Sequence, residues 1–115
     1  MNIEDFRNHC LKKKGVSEEF PFGPTTLVFK VYGKIFALTN PDIFESVNLK
    51  CDPEEAALLR ENHAAVLPGY HMNKKHWNTI LIDNTVPDSL LYKWIDDSYN
   101  LVFDSLPKKI KNEIS

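Results

Sequence analysis

Two apolar runs, Leu27-Val28-Phe29-Lys30-Val31-Tyr32 and Ile35-Phe36-Ala37-Leu38, flank Gly33-Lys34. Both are rich in β-branched and aromatic residues, and a glycine between two such runs predicts an antiparallel hairpin. Alternation puts Leu27, Phe29 and Val31 on one face and Val28, Lys30 and Tyr32 on the other. The lysine predicts that this second face is at least partly wet. The next run, Phe44 to Cys51, alternates more cleanly, with Val47, Leu49 and Cys51 against Ser46, Asn48 and Lys50. Such alternation belongs to an antiparallel sheet covered on one side only.

Helical segments supply the cover. Asn2 is placed to cap a first helix whose first turn holds Glu4 and Asp5, whose apolar stripe is Ile3, Phe6 and Cys10, and whose end is marked by Lys12 to Lys14 and Gly15. The position of that lysine run at a helix end explains it without a ligand. Asp52-Pro53-Glu54-Glu55 predicts a second helix, with Asp52 as cap and proline at the first helical position. Ala56, Leu59 and His63 mark its inner side. The longest periodic segment runs from Pro87 to about Leu106, with Leu91, Trp94, Ile95, Ser98 and Val102 facing inward. Short strands are expected at Val16–Phe20, at Ala64–Leu67 and around Ile80, and an extra turn in the tail after Pro107. The fold class expected is α+β, a two-layer sandwich of an antiparallel sheet with helices packed on one face. One domain accounts for residues 1–115.

The formal net charge is −2 over 115 residues, so the chain cannot hold a polyanion by bulk charge, and any nucleic-acid role must rest on a local patch. Cys10 and Cys51 form no paired motif. The first residues lack the basic and apolar regions of a signal peptide, and no apolar run approaches a membrane span. A cytoplasmic setting is the expectation, with a monomer as the default.

Candidate function concentrates in Pro68-Gly69-Tyr70-His71-Met72-Asn73-Lys74-Lys75-His76-Trp77-Asn78-Thr79. Pro-Gly marks a turn, and the run leads straight into the strand at Ile80, so a basic, aromatic loop hangs on a rigid element. Lys50, His71, Asn73, Lys74, Lys75, His76 and Trp77 are the residues expected to contact nucleic acid, with Arg60 joining from the second helix. Lysines would hold phosphates, Asn73 and Asn78 would meet backbone or base edges, and Tyr70 and Trp77 would stack on unpaired bases. The histidines predict tighter binding as pH falls through about 6.5. The competing reading of the same residues is structural, with Trp77 in the core and the asparagines holding a turn.

Gly33-Lys34-Ile35-Phe36-Ala37, Val47-Asn48-Leu49-Lys50-Cys51-Asp52-Pro53-Glu54, Tyr70-His71-Met72-Asn73-Lys74-Lys75-His76-Trp77, and Pro87-Asp88 opening a helix that contains Tyr99 together resemble the MmcQ/YjbR family over nearly the whole chain. The resemblance implies a small bacterial protein with a CyaY-like fold, described as DNA-binding through paired wing-like strand regions. It fixes no catalytic residue and implies no cofactor. Frataxins share the CyaY-like fold and bind iron on an acidic surface. Here the first helix carries only Glu4 and Asp5 before turning basic, so that function does not carry over.

The alternative function on the same surface is a module for an anionic small molecule or for a protein, which would need a concave pocket rather than a stripe. Catalysis is not expected. His63, His71 and His76 match no usual zinc spacing, and no phosphate loop or nucleophile elbow occurs.

Overall fold

The structure is a computed structural model describing residues 1–69 and 72–114, the side chain of Ile114 excepted. The elements in order are α1 (Ile3–Leu11), β1 (Val16–Glu19), β2 (Leu27–Val31), β3 (Lys34–Thr39), β4 (Ser46–Lys50), α2 (Pro53–Asn62), β5 (Val66–Pro68), β6 (Trp77–Leu81), α3 (Asp88–Asp104) and α4 (Lys108–Ile114). The strands form one sheet in the order β1-β2-β3-β4-β6-β5, every neighbouring pair antiparallel. The fold class is the α+β one expected.

Local chemistry explains the element ends. Asn2 Oδ1 accepts from Asp5 N–H at 2.8 Å while Asp5 returns the bond to Asn2 N–H at 3.3 Å, a complete capping box. Asp52 caps α2 by accepting from Glu54 and Glu55 N–H, with Pro53 in the first turn. The β2–β3 turn puts Tyr32 at φ 47° and Gly33 at φ 82°. Left-handed backbone at both central positions matches the strands' right-handed twist.

The main core lies between the helices and one face of the sheet. Phe6 and Cys10 of α1, and Leu91, Trp94, Ile95 and Val102 of α3, meet Leu27, Phe29, Val31, Val47, Leu49 and Ile80. The inward stripe expected for α3, Ser98 included, is buried throughout. The register shifts between Phe29 and Lys30, where Phe29 opposes Ala37 and Lys30 opposes Ile35. Phe36 is the extra residue of this bulge, so Phe36 and Ala37 both join the main core.

The second face is drier than the lysine in its sequence suggested. Val28 is fully buried and forms a separate apolar cluster with Leu38 and Trp77, flanked by Ile35 and Met72. Lys30 is paired at 3.0 Å with Glu19.

The end of α1 is fastened to α3 by charge. Asp96 accepts from His9 Nε2 at 2.7 Å and from Lys13 Nζ, and Tyr99 Oη donates to the Lys14 carbonyl at 2.6 Å. Burial holds the His9 imidazole below its ordinary 6.5, against the pull of Asp96. Burial also pushes the Asp96 carboxyl up, but the bonds from Lys13 and His9 outweigh it and leave it below the usual 3.8. Both folded values are depressed, so the unfolded chain binds more protons and stability rises with pH across each titration. Stability is expected to be full above about pH 6.5, to decline as His9 is forced to charge, and to decline again below about pH 3.8. Urea midpoints at pH 7, 5.5 and 3.5 measure both steps. A His9→Gln variant is expected to lose the upper step and keep the lower.

Candidate nucleic-acid interface

Register decides what the basic stretch presents. Lys50 opposes Trp77 and Asn48 opposes Thr79, so these four share the sheet face away from the main core. Thr79 Oγ1 donates to Asn48 Oδ1 at 2.5 Å. Trp77 is only 8 % exposed and packs with Val28 and Leu38. Its ring is a wall of the second cluster, not a platform for bases, and here the structural reading of this residue holds. Asn78 points to the opposite side and is 1 % exposed. Its Oδ1 accepts from Arg60 Nε at 2.7 Å and its Nδ2 donates to the Ala56 carbonyl at 3.5 Å, so it does not reach a base edge. Arg60 also donates through Nη2 to the Lys74 carbonyl. It ties α2 to the basic turn rather than standing free.

The turn holds its own shape. Asn73 Oδ1 accepts from Lys75 N–H at 3.0 Å, and its carbonyl accepts from His76 N–H at 3.1 Å and Trp77 N–H at 3.0 Å. Cys51 N–H donates to the His76 carbonyl at 2.7 Å, and Gly69 N–H to the Trp77 carbonyl at 2.8 Å. Glycine is required at 69 by close approach, because a Cβ there would sit 2.6 Å from Trp77 Cβ. Lys74 and Lys75 are therefore presented outward from a fixed turn, with Asn73 exposed beside them and His76 half-buried. His71 and Tyr70 lie outside the described residues.

Two further cations join this site: Lys34, which the sequence did not single out, and Lys14, which the sequence reading assigned to the end of the first helix. β1 begins, β2 ends, β3 begins, β4 ends and β6 begins at one end of the sheet. Lys34 opens β3 there, and Lys14 precedes Gly15, whose carbonyl accepts from Tyr32 N–H at 3.3 Å. That margin thus carries Lys14, Lys34, Lys50, Lys74 and Lys75, and among the described residues none of them has a carboxylate partner. Elsewhere Arg7, Lys13, Lys30 and Lys93 are each paired with an acid. Asp52, two residues after Lys50, is turned to its own helix. Five strands at about 4.8 Å spacing make the margin roughly 19 Å wide. The signal for Lys14 and Lys34 was their place beside Gly15 and Gly33, but it gains meaning only once the strand order is known.

A small open-sheet α+β domain with a basic margin is the class that these features define. The chain belongs to the YjbR family, whose sequence model matches residues 11–101. It is 41% identical over 96 residues to YbdF of Escherichia coli O157:H7, an alignment covering 83% of this chain and 79% of that one. To YjbR of Escherichia coli K12 it is 34% identical over 110 residues, 95% and 93% of the two chains. The crystal structure of Deinococcus radiodurans protein DR2400 superposes with a TM-score of 0.93 at 39% identity, covering 98% of this chain and 87% of that one. A Pseudomonas syringae crystal structure superposes with a TM-score of 0.76 at 28% identity, over 89% and 99%. No helix among the described residues is long and apolar enough to cross a membrane.

Proposed function

We propose that the protein binds DNA through the lysine margin at one end of its sheet, without catalysis. The observation that carries the reading is the set of lysines gathered there with no carboxylate partner among the described residues, in a chain of net charge −2. In a duplex each strand carries one phosphate per about 3.4 Å of helix axis, so a margin of roughly 19 Å has several of them within reach. Lys74, Lys75 and Lys50 act as phosphate contacts, with Lys14 and Lys34 widening the footprint. His76 and exposed Asn73 sit between them as polar contacts. Buried Trp77 and Asn78 act indirectly, by fixing the turn.

Binding of this kind is sequence-tolerant and releases counterions. With three to five phosphate contacts, the logarithm of affinity is expected to fall with the logarithm of salt at a slope of about −3 to −5. Fluorescence anisotropy with a labelled duplex and the matching single strand, from low to moderate salt, measures it. Absence of binding at low salt would end the proposal. Displacement of the duplex by inorganic phosphate at low concentration would instead point to a discrete anion site.

A further inference from the structure

We propose that the cleft between α2 and α3, on the main-core side of the sheet, binds a small organic cation with an apolar body and one protonated amine. The cleft exists because the two helices rest on different strands. α2 packs over β5 and β6, and α3 over β2, β3 and β4. Between them, Leu49 and Ile80 form a floor, and Leu59, Trp94 and Leu101 form the walls. Trp94 is steadied by the His63 ring, edge-on at 5.2 Å. The cavity measures about 220 Å³. That is below the roughly 300–1,000 Å³ of pockets for drug-sized ligands, so the occupant is small.

Charge at the mouth selects its sign. Asp52, Glu55 and Asp97 border the opening. Asp97 takes Lys93 at 2.6 Å on its exposed side, and Asp52 caps its own helix. Glu55 is in no ion pair among the described residues, although Lys93, bonded to Asp97, lies near enough to feel its charge. Lys93 is the cation held at the mouth, on Asp97, and Lys50 is the one that lines the cleft. The Lys50 side chain alternates to the far face with Asn48, and Arg60 is committed to Asn78 and the Lys74 carbonyl. Cys51, half-exposed at the same mouth, reports the balance. Burial, and then Glu55, Asp52 and Asp97, push its thiol up to about 11 despite Arg60. A cation whose apolar part displaces water from the Leu59–Trp94–Leu101 walls, and whose ammonium meets Glu55, satisfies both features. This site is separate from the lysine margin, and its test does not depend on nucleic-acid binding.

Benzylamine, benzyl alcohol and benzoate share a body and differ in charge. Titration of each into the labelled full chain, followed by NMR, is expected to give saturable shifts at the Trp94 indole and the Leu59 and Leu101 methyls. Affinity is expected to be roughly millimolar for the amine, weaker for the alcohol and weakest for benzoate. Glu55→Gln, at an exposed position that does not endanger folding, is expected to weaken the amine roughly two- to fivefold and leave the alcohol unchanged. Leu59→Phe, which fills the cavity, is expected to abolish the shifts for all three. No saturable shift at tens of millimolar amine, or benzoate binding as well as the amine, would overturn the assignment. So would an amine affinity indifferent to Glu55→Gln.

Discussion

Ser98→Ala is expected to destabilise the protein by roughly 2–4 kcal/mol, from one buried and one part-buried backbone group left unpaired at about 1–3 kcal/mol each. Ser98 is fully buried on α3. Its hydroxyl donates to the Phe36 carbonyl at 2.6 Å and accepts from Lys50 N–H at 2.8 Å. The β3–β4 ladder has Ala37–Leu49 as its last pair at this end, and the next residue, Phe36, is the one that bulges in the β2–β3 pairing. The serine oxygen links Phe36 and Lys50 where that ladder stops. Alanine removes both bonds. Urea unfolding gives the loss directly, and a fall in Tm of roughly 6–20 °C should accompany it. A change below about 0.5 kcal/mol would mean that the strands close the gap by themselves. Because Lys50 is the residue held, the variant should also loosen the lysine margin.

The second large effect concerns binding alone. Lys74→Ala combined with Lys75→Ala is expected to weaken DNA roughly 50-fold at about 0.1 M salt and to flatten the salt slope by about 2, as expected for two lost phosphate contacts. The loss should be the same for every duplex sequence, since phosphates carry no sequence information. Folding should be unchanged. The bonds that these two residues contribute to the turn use their backbone, namely the Lys74 carbonyl to Arg60 and Lys75 N–H to Asn73. Both side chains are exposed. A thermal melt of the double variant separates the two quantities. An unchanged slope with unchanged affinity would remove the turn from the interface.

Much of the architecture was legible because it depends on short-range chemistry. Asn2 and Asp52 announced their helices, since a capping side chain bonds within three residues of itself. The α3 stripe of Leu91, Trp94, Ile95, Ser98 and Val102 followed from the 3.6-residue period. The resemblance carried by the residues around Gly33, Val47 and Tyr70 led to the same family as the match over residues 11–101. The basic turn, too, was visible as a run of charge on the lead-in to a strand.

What no local pattern contained was the consequence of β6 lying between β4 and β5. That non-local pairing sets Trp77 beside Lys50, closes Val28, Leu38 and Trp77 into a second dry cluster, and turns Asn78 inward to Arg60. Alternation says only that two sets of side chains face opposite ways. It does not say what covers each set. The sequence by itself determined the helices, the hairpin and the basic turn, because caps, periods and turn residues act within a few positions of one another. The tertiary structure alone decided that Trp77 packs inside, that Lys30 is neutralised by Glu19, and that Lys14 and Lys34 share an edge with Lys74 and Lys75. Strand order and register bring together residues far apart in the chain, and they follow from the whole packed core rather than from any one segment.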